Sequence, residues 1–337
     1  PLEWTEFPPA VNLMTEIGMV LIAVQFVVPM LRGPERNHLY VAAWYVMGGG
    51  VFSLLSFPMG SLVPEFVPGA IGAAFSGLWI HDAVGLLVTP FTLAISYYVL
   101  PASTGRPVRS HFLSMLGFWI LFFVYPLNGT HHYVYSALPM DMQFAAISAS
   151  VLLGLDVILV VFNQLGATRK EKWRMRNDVP LRFVFVGVIF YLIVSIQGAS
   201  QSLMPMQRVI HFTDWVIGHS HLAMLGFASF TAIGGLFYAW KRTPGARFHD
   251  GLANWSFWLI FLGLMLMFVD LSIAGLIQGQ LWMQSTPWMD SVRASMPYWW
   301  VRAASAIPLL IGFGCLIATL LCGAKTDKRS TADGATV

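Results

Sequence analysis

The chain has few charged residues for its length. Only 10% of its 337 residues are Asp, Glu, Lys or Arg, whereas 57% are hydrophobic. Soluble globular domains carry about 25% charged residues, so this composition excludes an ordinary soluble fold. The net charge is only +3, and the basic residues lie in separate loops rather than in one patch. We therefore expect no nucleic-acid partner.

Cysteine is also scarce. The two cysteines, Cys315 and Cys322, both lie in the last apolar run, where a thiol behaves as a small hydrophobic group. No disulfide framework is expected from them.

Long apolar runs are abundant instead, and many approach the ~20 residues that a helix needs to cross a bilayer core. They predict an all-α integral membrane protein with one transmembrane helical domain over residues 1–323 and a polar, disordered, cytoplasmic tail over residues 324–337. The nine predicted helices cover residues 10–31, 38–58, 71–100, 111–130, 142–165, 181–204, 211–240, 253–279 and 299–322.

The basic residues predict the orientation of these helices. Of the 19 Lys and Arg residues, 16 fall in alternate loops or in the tail, and the exceptions are Arg208, Arg293 and Arg302. Because Lys and Arg accumulate on the cytoplasmic side of a membrane, the N-terminus is expected outside and the C-terminus in the cytoplasm.

Histidines mark the outer half of the predicted bundle. Three of the nine, His38, His111 and His249, adjoin cytoplasmic loops and are interpreted as interfacial. The other six lie on three helices at similar depth, since each residue advances a helix by ~1.5 Å. These six are His81, His131, His132, His211, His219 and His221. Polar rings inside a membrane are costly, so their convergence indicates a functional site.

The spacing of these histidines favours metal binding, because imidazole suits copper, iron and zinc. His219 and His221 are two residues apart and point to nearly opposite sides of a helix, so each could bind a metal on its own side. His81, His131 and His132 suffice for one copper with an open position. Taken alone, the adjacent pair His131–His132 is equally consistent with hydrogen-bonded interfacial histidines.

Three stretches resemble the catalytic subunit of the C-family of haem–copper oxidases, the cbb3-type cytochrome c oxidases. The stretches are "WIHDAVGLLVTPFTLAISYYVLP", "RPVRSHFLSMLGFWILFFVYPLNGTHHYVYSALP" and "HFTDWVIGHSHLAMLGF". Weaker similarity runs from "PLEW" to "WVRAASAIPLLIGFG". The resemblance implies the haem–copper oxidase bundle, two b-type haems, one high-spin and one low-spin, and one copper ion.

The resemblance also implies roles for residues of the copper site. His81, His131 and His132 match the copper ligands. Tyr125, six residues before the histidine pair, matches a catalytic tyrosine that is cross-linked to the first ligand, here His81.

A second set of residues matches the haem sites of the family. His219 corresponds to the axial ligand of the high-spin haem and His221 to one axial ligand of the low-spin haem. His211 and Arg302 match positions near the haem propionates, and Asp214 is expected to accept a hydrogen bond in the same region.

The implied activity is reduction of O2 to water with electrons from cytochrome c, coupled to proton uptake, in the inner (cytoplasmic) membrane of a bacterium with the N-terminus in the periplasm. The expected electron donor is a cytochrome c subunit or a soluble cytochrome c. The family's subunit has twelve helices, and the match covers the last nine. We therefore expect a separate small membrane subunit to supply about three helices and the second axial histidine of the low-spin haem. Membrane lipid is a further expected partner.

Three positions differ from the residues found in the C-family oxidases or in related nitric oxide reductases. Gln197 replaces a glutamate near the proximal ligand, and Asp82 replaces an asparagine. Gly85 stands where nitric oxide reductases of the superfamily carry a glutamate that favours a harder metal. The alternatives are therefore a nitric oxide reductase, which Gly85 and Tyr125 disfavour, and a membrane cytochrome b that only relays electrons. Asp156 and Asp270 lie in mid-helix, where carboxylates are usually neutral or paired.

Overall fold

Helices account for nearly all of the described structure. A computed structural model describes residues 7–169 and 171–325, and within these ranges nine helices are long and apolar enough to cross a membrane. They are α1 (Pro9–Arg32), α2 (Val41–Phe66), α3 (Ala70–Thr104), α4 (His111–Tyr133), α5 (Met140–Gln164), α6 (Val179–Gln201), α7 (Asp214–Arg242), α8 (Asp250–Met283) and α9 (Trp288–Leu321). The predicted all-α membrane fold is confirmed.

Several of these helices change winding beside the candidate ligands. In α3 a π-helical stretch, Ala83–Val88, begins two residues after His81. In α7 a second π-helical stretch, Leu222–Ser229, follows His221 directly. The C-terminal end of α4 tightens into 3-10 turns at Tyr125–Leu127 and Gly129–Tyr133. Such departures from α-helical winding are frequent at functional sites.

Several predicted boundaries differ from the structure. Helices α8 and α9 each have 34 residues, longer than the runs 253–279 and 299–322 that hydropathy predicts. Polar residues where α8 ends and α9 begins lower the hydropathy, but they bond across the helix pair: the Gln278 amide donates to Ser295 Oγ at 3.0 Å, and Trp282 Nε1 donates to Ser291 Oγ at 2.8 Å.

His211 was expected to open the seventh helix, and it lies before it instead. A short helix, Met204–Ile210, ends at that point. Phe212 then adopts a positive φ of 63°. Helix α7 begins at Asp214, with Thr213 as its cap.

The chain forms two compact units. The first comprises Val108–Leu165, Gly198–Met204 and the described part of Pro1–Tyr98. Its core is aromatic, with buried Tyr45 stacked on Tyr97 at 5.5 Å between ring centroids. Glycines allow close helix contact there, since a Cβ at Gly60 would lie 2.2 Å from Trp79 Cβ.

The second unit comprises Val99–Pro107 and the described parts of Gly166–Gln197 and Pro205–Val337. Four phenylalanines fill its core: Phe183, Phe230, Phe237 and Phe257. A short antiparallel pair joins Arg247–Phe248 to Ala324–Lys325. Residues 326–337 of the predicted tail lie outside the described residues. The single-domain expectation for residues 1–323 stays a prediction.

Candidate metal centre and haem ligands

The three histidines predicted to bind copper come together in the first unit. One ligand atom from each of His81, His131 and His132 lies within 4.8 Å of the others. His81 Nδ1 and His132 Nε2 are 3.0 Å apart. Two imidazole nitrogens that each lie about 2.0 Å from one metal ion are about 3 Å from each other, so the donor set fits a single ion such as copper.

Glycines make this convergence possible. A Cβ at Gly77 would lie 2.0 Å from the Tyr133 ring, and one at Gly129 would lie 2.5 Å from the Leu78 Cα. Real Cβ atoms do not approach so closely, so both positions need glycine for the 3-10 turn to touch α3. The turn thereby carries His131 and His132 to His81.

Ser150 on α5 orients His131, one of the three candidate ligands. The distance from His131 Nδ1 to Ser150 Oγ is 2.6 Å, and Ser150 Oγ donates to the Ala146 carbonyl at 2.8 Å. With its own proton used, the serine oxygen accepts from Nδ1–H. This tautomer leaves the His131 Nε2 lone pair for a metal. Metal-bound histidines commonly donate their second ring N–H in this way.

Tyr125 lies against the same cluster. Its ring stacks on that of His81 with centroids 4.6 Å apart and planes 19° apart. The predicted covalent bond between them stays a prediction.

The haem-ligand candidates His219 and His221 lie on α7 in the second unit, each with a hydrogen-bond partner at Nδ1. His219 Nδ1 is 3.0 Å from Gln197 Oε1, and His221 Nδ1 is 2.8 Å from the Ile217 carbonyl oxygen. Both partners are acceptors, so Nδ1–H donates and Nε2 carries the lone pair. Each histidine can therefore bind a haem iron through Nε2.

Asp214 ties the start of α7 to α8 and α9. Its Oδ2 accepts from Gln278 Nε2 at 2.6 Å and from Trp299 Nε1 at 2.8 Å, and its backbone N–H donates to Gln278 Oε1 at 2.8 Å. The two helices α7 and α8 also pack closely near this network, since a Cβ at Gly275 of α8 would lie 2.1 Å from the backbone nitrogen of Trp215. The helix that carries His219 and His221 is thus fixed at its N-terminal end.

A cavity of about 560 Å³ opens beside this network. Asp214, Trp299 and Arg302 line its polar side, and Met267 and Leu309 are among its apolar residues. Its volume lies within the range of cofactor and ligand sites in proteins. An apolar cavity with one guanidinium suits a flat hydrophobic group that bears carboxylates.

The remaining propionate candidate, His211, stands apart from this cavity's lining. Its ring stacks on exposed Phe212, with centroids 3.9 Å apart. The structure places it in the connection before α7.

A polar column in the first unit was not recognised from the sequence as a group. Asn163 Nδ2 donates to the Ser110 carbonyl at 3.0 Å and to Ser114 Oγ at 2.8 Å. The Tyr97 hydroxyl lies close to Ser114 and Asn163. Asp156 is 2% exposed, with one carboxylate oxygen lacking a hydrogen-bond partner. The only sequence signal was isolated polar residues on three apolar helices, and their register becomes visible only after folding.

Comparison with known proteins agrees with this arrangement. Residues 2–325 match the family Cytochrome C and Quinol oxidase polypeptide I. The chain is 31% identical over 323 residues to the cytochrome c oxidase subunit 1 homolog, bacteroid, of Bradyrhizobium diazoefficiens, covering 89% of this chain and 58% of that protein. It is 29% identical over 320 residues to the cbb3-type cytochrome c oxidase subunit CcoN1 of Stutzerimonas stutzeri, covering 89% and 67%.

A cryo-EM structure of a haem–copper terminal oxidase dimer has the same fold. The TM-score is 0.64 with 16% sequence identity, and the match covers 94% of this chain and 56% of the other. This chain thus spans roughly three fifths of the length of its relatives. With a family match over almost all of its residues, the chain belongs to the cytochrome c and quinol oxidase polypeptide I family.

Proposed function

We propose that the chain is the catalytic subunit of a terminal respiratory oxidase that reduces O2 to water with electrons from cytochrome c and takes up protons. The observation that carries the proposal is the cluster of His81, His131 and His132 with Tyr125 stacked on one of its rings. An electron relay would need haem ligands alone. The cluster adds a place for a metal that can react with a small molecule.

The three imidazoles would hold one copper ion, and His219 and His221 would hold a high-spin and a low-spin haem b. When bound, these groups supply the redox chemistry of O2 reduction. The chain's own residues fix the ligand tautomers: Ser150 orients His131, and Gln197 orients His219. Ligands held in this way keep one nitrogen directed at the metal.

Tyr125 would act as the proton donor of the site. Stacking on His81 keeps its phenol ring beside the metal ligands, so its Oη can hold a proton within the site until O–O cleavage requires it. We propose that the ring is covalently joined to His81, which would prevent the phenol from leaving this position.

The cavity next to α7 would hold the carboxylate side of a haem. Arg302 can pair with a propionate through a charge-assisted hydrogen bond. Asp214 would act through Trp299 and Gln278 by fixing the helix. His211 remains a proposed contact of the propionate region.

Protons would enter through the polar column of the first unit. Ser110 and Asn163 lie at the ends of α4 and α5 that the basic loops assign to the cytoplasm, and Ser114, Tyr97 and Asp156 lie deeper. Hydroxyl and carboxyl groups can pass a proton by exchanging hydrogen bonds. With this orientation the N-terminal side would lie in the periplasm of a bacterial inner membrane.

A low-spin haem needs a second axial ligand. The histidines that have no proposed role, His38, His111 and His249, adjoin the loops that the positive-inside rule assigns to the cytoplasm, so we expect none of them to reach the low-spin haem proposed on His221. We propose that a separate small membrane subunit supplies this histidine on about three further helices, and that cytochrome c subunits or a soluble cytochrome c deliver the electrons.

One experiment separates the possible functions. The purified complex should contain one copper per chain and consume O2 with reduced cytochrome c. Non-haem iron in place of copper, with consumption of nitric oxide, would identify a nitric oxide reductase. Haem without either metal, and no gas consumption, would identify an electron relay.

A further inference from the structure

The segment that follows the two adjacent histidines is held by a buried amide. Gln143 lies in the first turn of α5 and is 1% exposed. Its Oε1 accepts from the Tyr135 backbone N–H at 2.9 Å. Its Nε2 donates to the Leu138 carbonyl at 2.8 Å and to the Ser136 carbonyl at 3.4 Å. One side chain therefore fixes three backbone groups of residues 135–138.

The first residue of this segment has an unfavourable backbone conformation. Tyr135 has a φ of 67°, in the left-handed region that side chains other than glycine rarely adopt because the Cβ crowds a carbonyl oxygen. The hydrogen bond from its N–H to Gln143 is made in this conformation. That bond therefore offsets part of the conformational cost.

The backbone torsion of Tyr135 bears on the metal ligands because the residue is three positions after His132. Ser136 N–H donates to the Tyr133 carbonyl at 3.1 Å, which joins the segment to the 3-10 turn Gly129–Tyr133 that carries His131 and His132. Since Gln143 bonds the segment to α5, the φ of Tyr135 sets the direction of the turn relative to that helix.

Helix α5 therefore supports the ligands at two levels of one face. Gln143 and Ser150 are seven residues apart, which places them on the same side of an α-helix, two turns from each other. Ser150 contacts the ring of His131, whereas Gln143 contacts the backbone that follows the histidine pair. The ring tautomer and the path of the chain are fixed by different side chains.

We infer that Gln143 is a positioning residue of the copper site: by holding Tyr135 in the left-handed conformation, it keeps His131 and His132 turned towards His81. This inference rests on the proposed oxidase function and adds a residue that supports its metal ligands through the backbone.

The first test measures the copper affinity of the purified complex by competition with a copper chelator. Gln143→Leu keeps a side chain of similar size without the amide, so copper should bind about tenfold more weakly, the low end of the loss found for outer partners of metal ligands. Gln164→Leu is the matched control, because Gln164 is also a buried amide on α5 but donates to Ser96 Oγ. This control should bind copper with native affinity.

X-ray absorption at the copper edge adds a readout that a general loss of stability would not change. The unmodified complex and Gln164→Leu should show three imidazole ligands on each copper. Gln143→Leu should show fewer, because a turn that changes direction withdraws an imidazole from the ion.

The second test is a double-mutant cycle on the same affinity. Tyr135→Gly removes the conformational cost, since glycine adopts positive and negative φ about equally. Gln143→Leu should therefore cause a loss at least about twofold smaller in the Tyr135→Gly background, as expected for residues that are energetically coupled. The cycle subtracts the loss of the tyrosine side chain, including the hydrogen bond from its hydroxyl to the Met204 carbonyl.

The outcomes bear on different claims. Native copper affinity in Gln143→Leu, an equal loss in Gln164→Leu, an unchanged number of imidazole ligands, or losses of the same size in both backgrounds of the cycle would each overturn the role of Gln143. Absence of copper from the unmodified complex would instead overturn the proposed oxidase site.

Discussion

Replacing Gln197 with glutamate should lower the midpoint potential of the haem that we propose His219 binds. In the native chain the imidazole donates from Nδ1–H to a neutral amide oxygen at 3.0 Å. Gln197→Glu keeps the length of the side chain and replaces this acceptor with a carboxylate. A negative acceptor gives the imidazole more anionic character, which stabilises ferric over ferrous iron.

The size of the shift follows from hydrogen-bond strengths. A neutral hydrogen bond contributes about 0.5–1.5 kcal/mol, and one to a charged group contributes about 1.5–3 kcal/mol. The difference of about 1–1.5 kcal/mol acts mainly on the ferric state. Since about 59 mV corresponds to a tenfold change for a one-electron couple and about 1.4 kcal/mol to the same factor, the potential should fall by about 40–65 mV.

Spectroelectrochemical titration measures this shift, with carbon monoxide binding used to recognise the five-coordinate haem. The haem proposed to bind His221 is the internal control, because the His221 imidazole donates to the Ile217 carbonyl and not to Gln197. A potential that stays the same or rises, or an equal fall at both haems, would refute the assignment of Gln197 as the partner that tunes His219.

Three further outcomes are expected. Ser150→Ala removes the acceptor of His131 Nδ1–H and should weaken copper binding about 10–100-fold. The control is Ser53→Ala, because Ser53 is buried and donates to the Gly50 carbonyl, and this variant should bind copper normally. Equal copper content in the two variants would contradict the role of Ser150. Tyr97→Phe keeps the stacked ring but removes its hydroxyl, so O2 consumption should fall by about tenfold or more with unchanged metal content; unchanged turnover would remove Tyr97 from the proton path. The chain expressed without a partner subunit should lack the absorption spectrum of a six-coordinate low-spin haem b, and recovery of that spectrum would show that no outside ligand is needed.

Much of the fold was predictable from the sequence because a bilayer imposes strong constraints on composition. Apolar runs of spanning length gave the number of helices. The sequence predicted that His81, His131 and His132 meet, because polar rings inside a membrane are costly and several of them at one depth indicate a shared functional site. The end of α8 and the start of α9 were missed, because hydropathy predicts only the part of a helix that is apolar enough to contact lipid, and both helices continue beyond that part.

The supporting residues could not be predicted from one sequence. Gly77, Gly85 and Gly129 are three of 30 glycines, and only the folded chain shows which rings and backbones approach them. Ser150 resembles any serine on a membrane helix until His131 is placed beside it. His211 was misplaced because the positive φ of Phe212 interrupts an apparently continuous pattern.

Metal content of the purified complex tests the central claim most directly. Copper and non-haem iron should be measured per chain in the unmodified protein and in His131→Ala, with His38→Ala as the control histidine outside the cluster. The account predicts one copper per chain, no non-haem iron, loss of copper in His131→Ala and full copper in His38→Ala. Non-haem iron in the unmodified protein, or full copper after loss of His131, would contradict it.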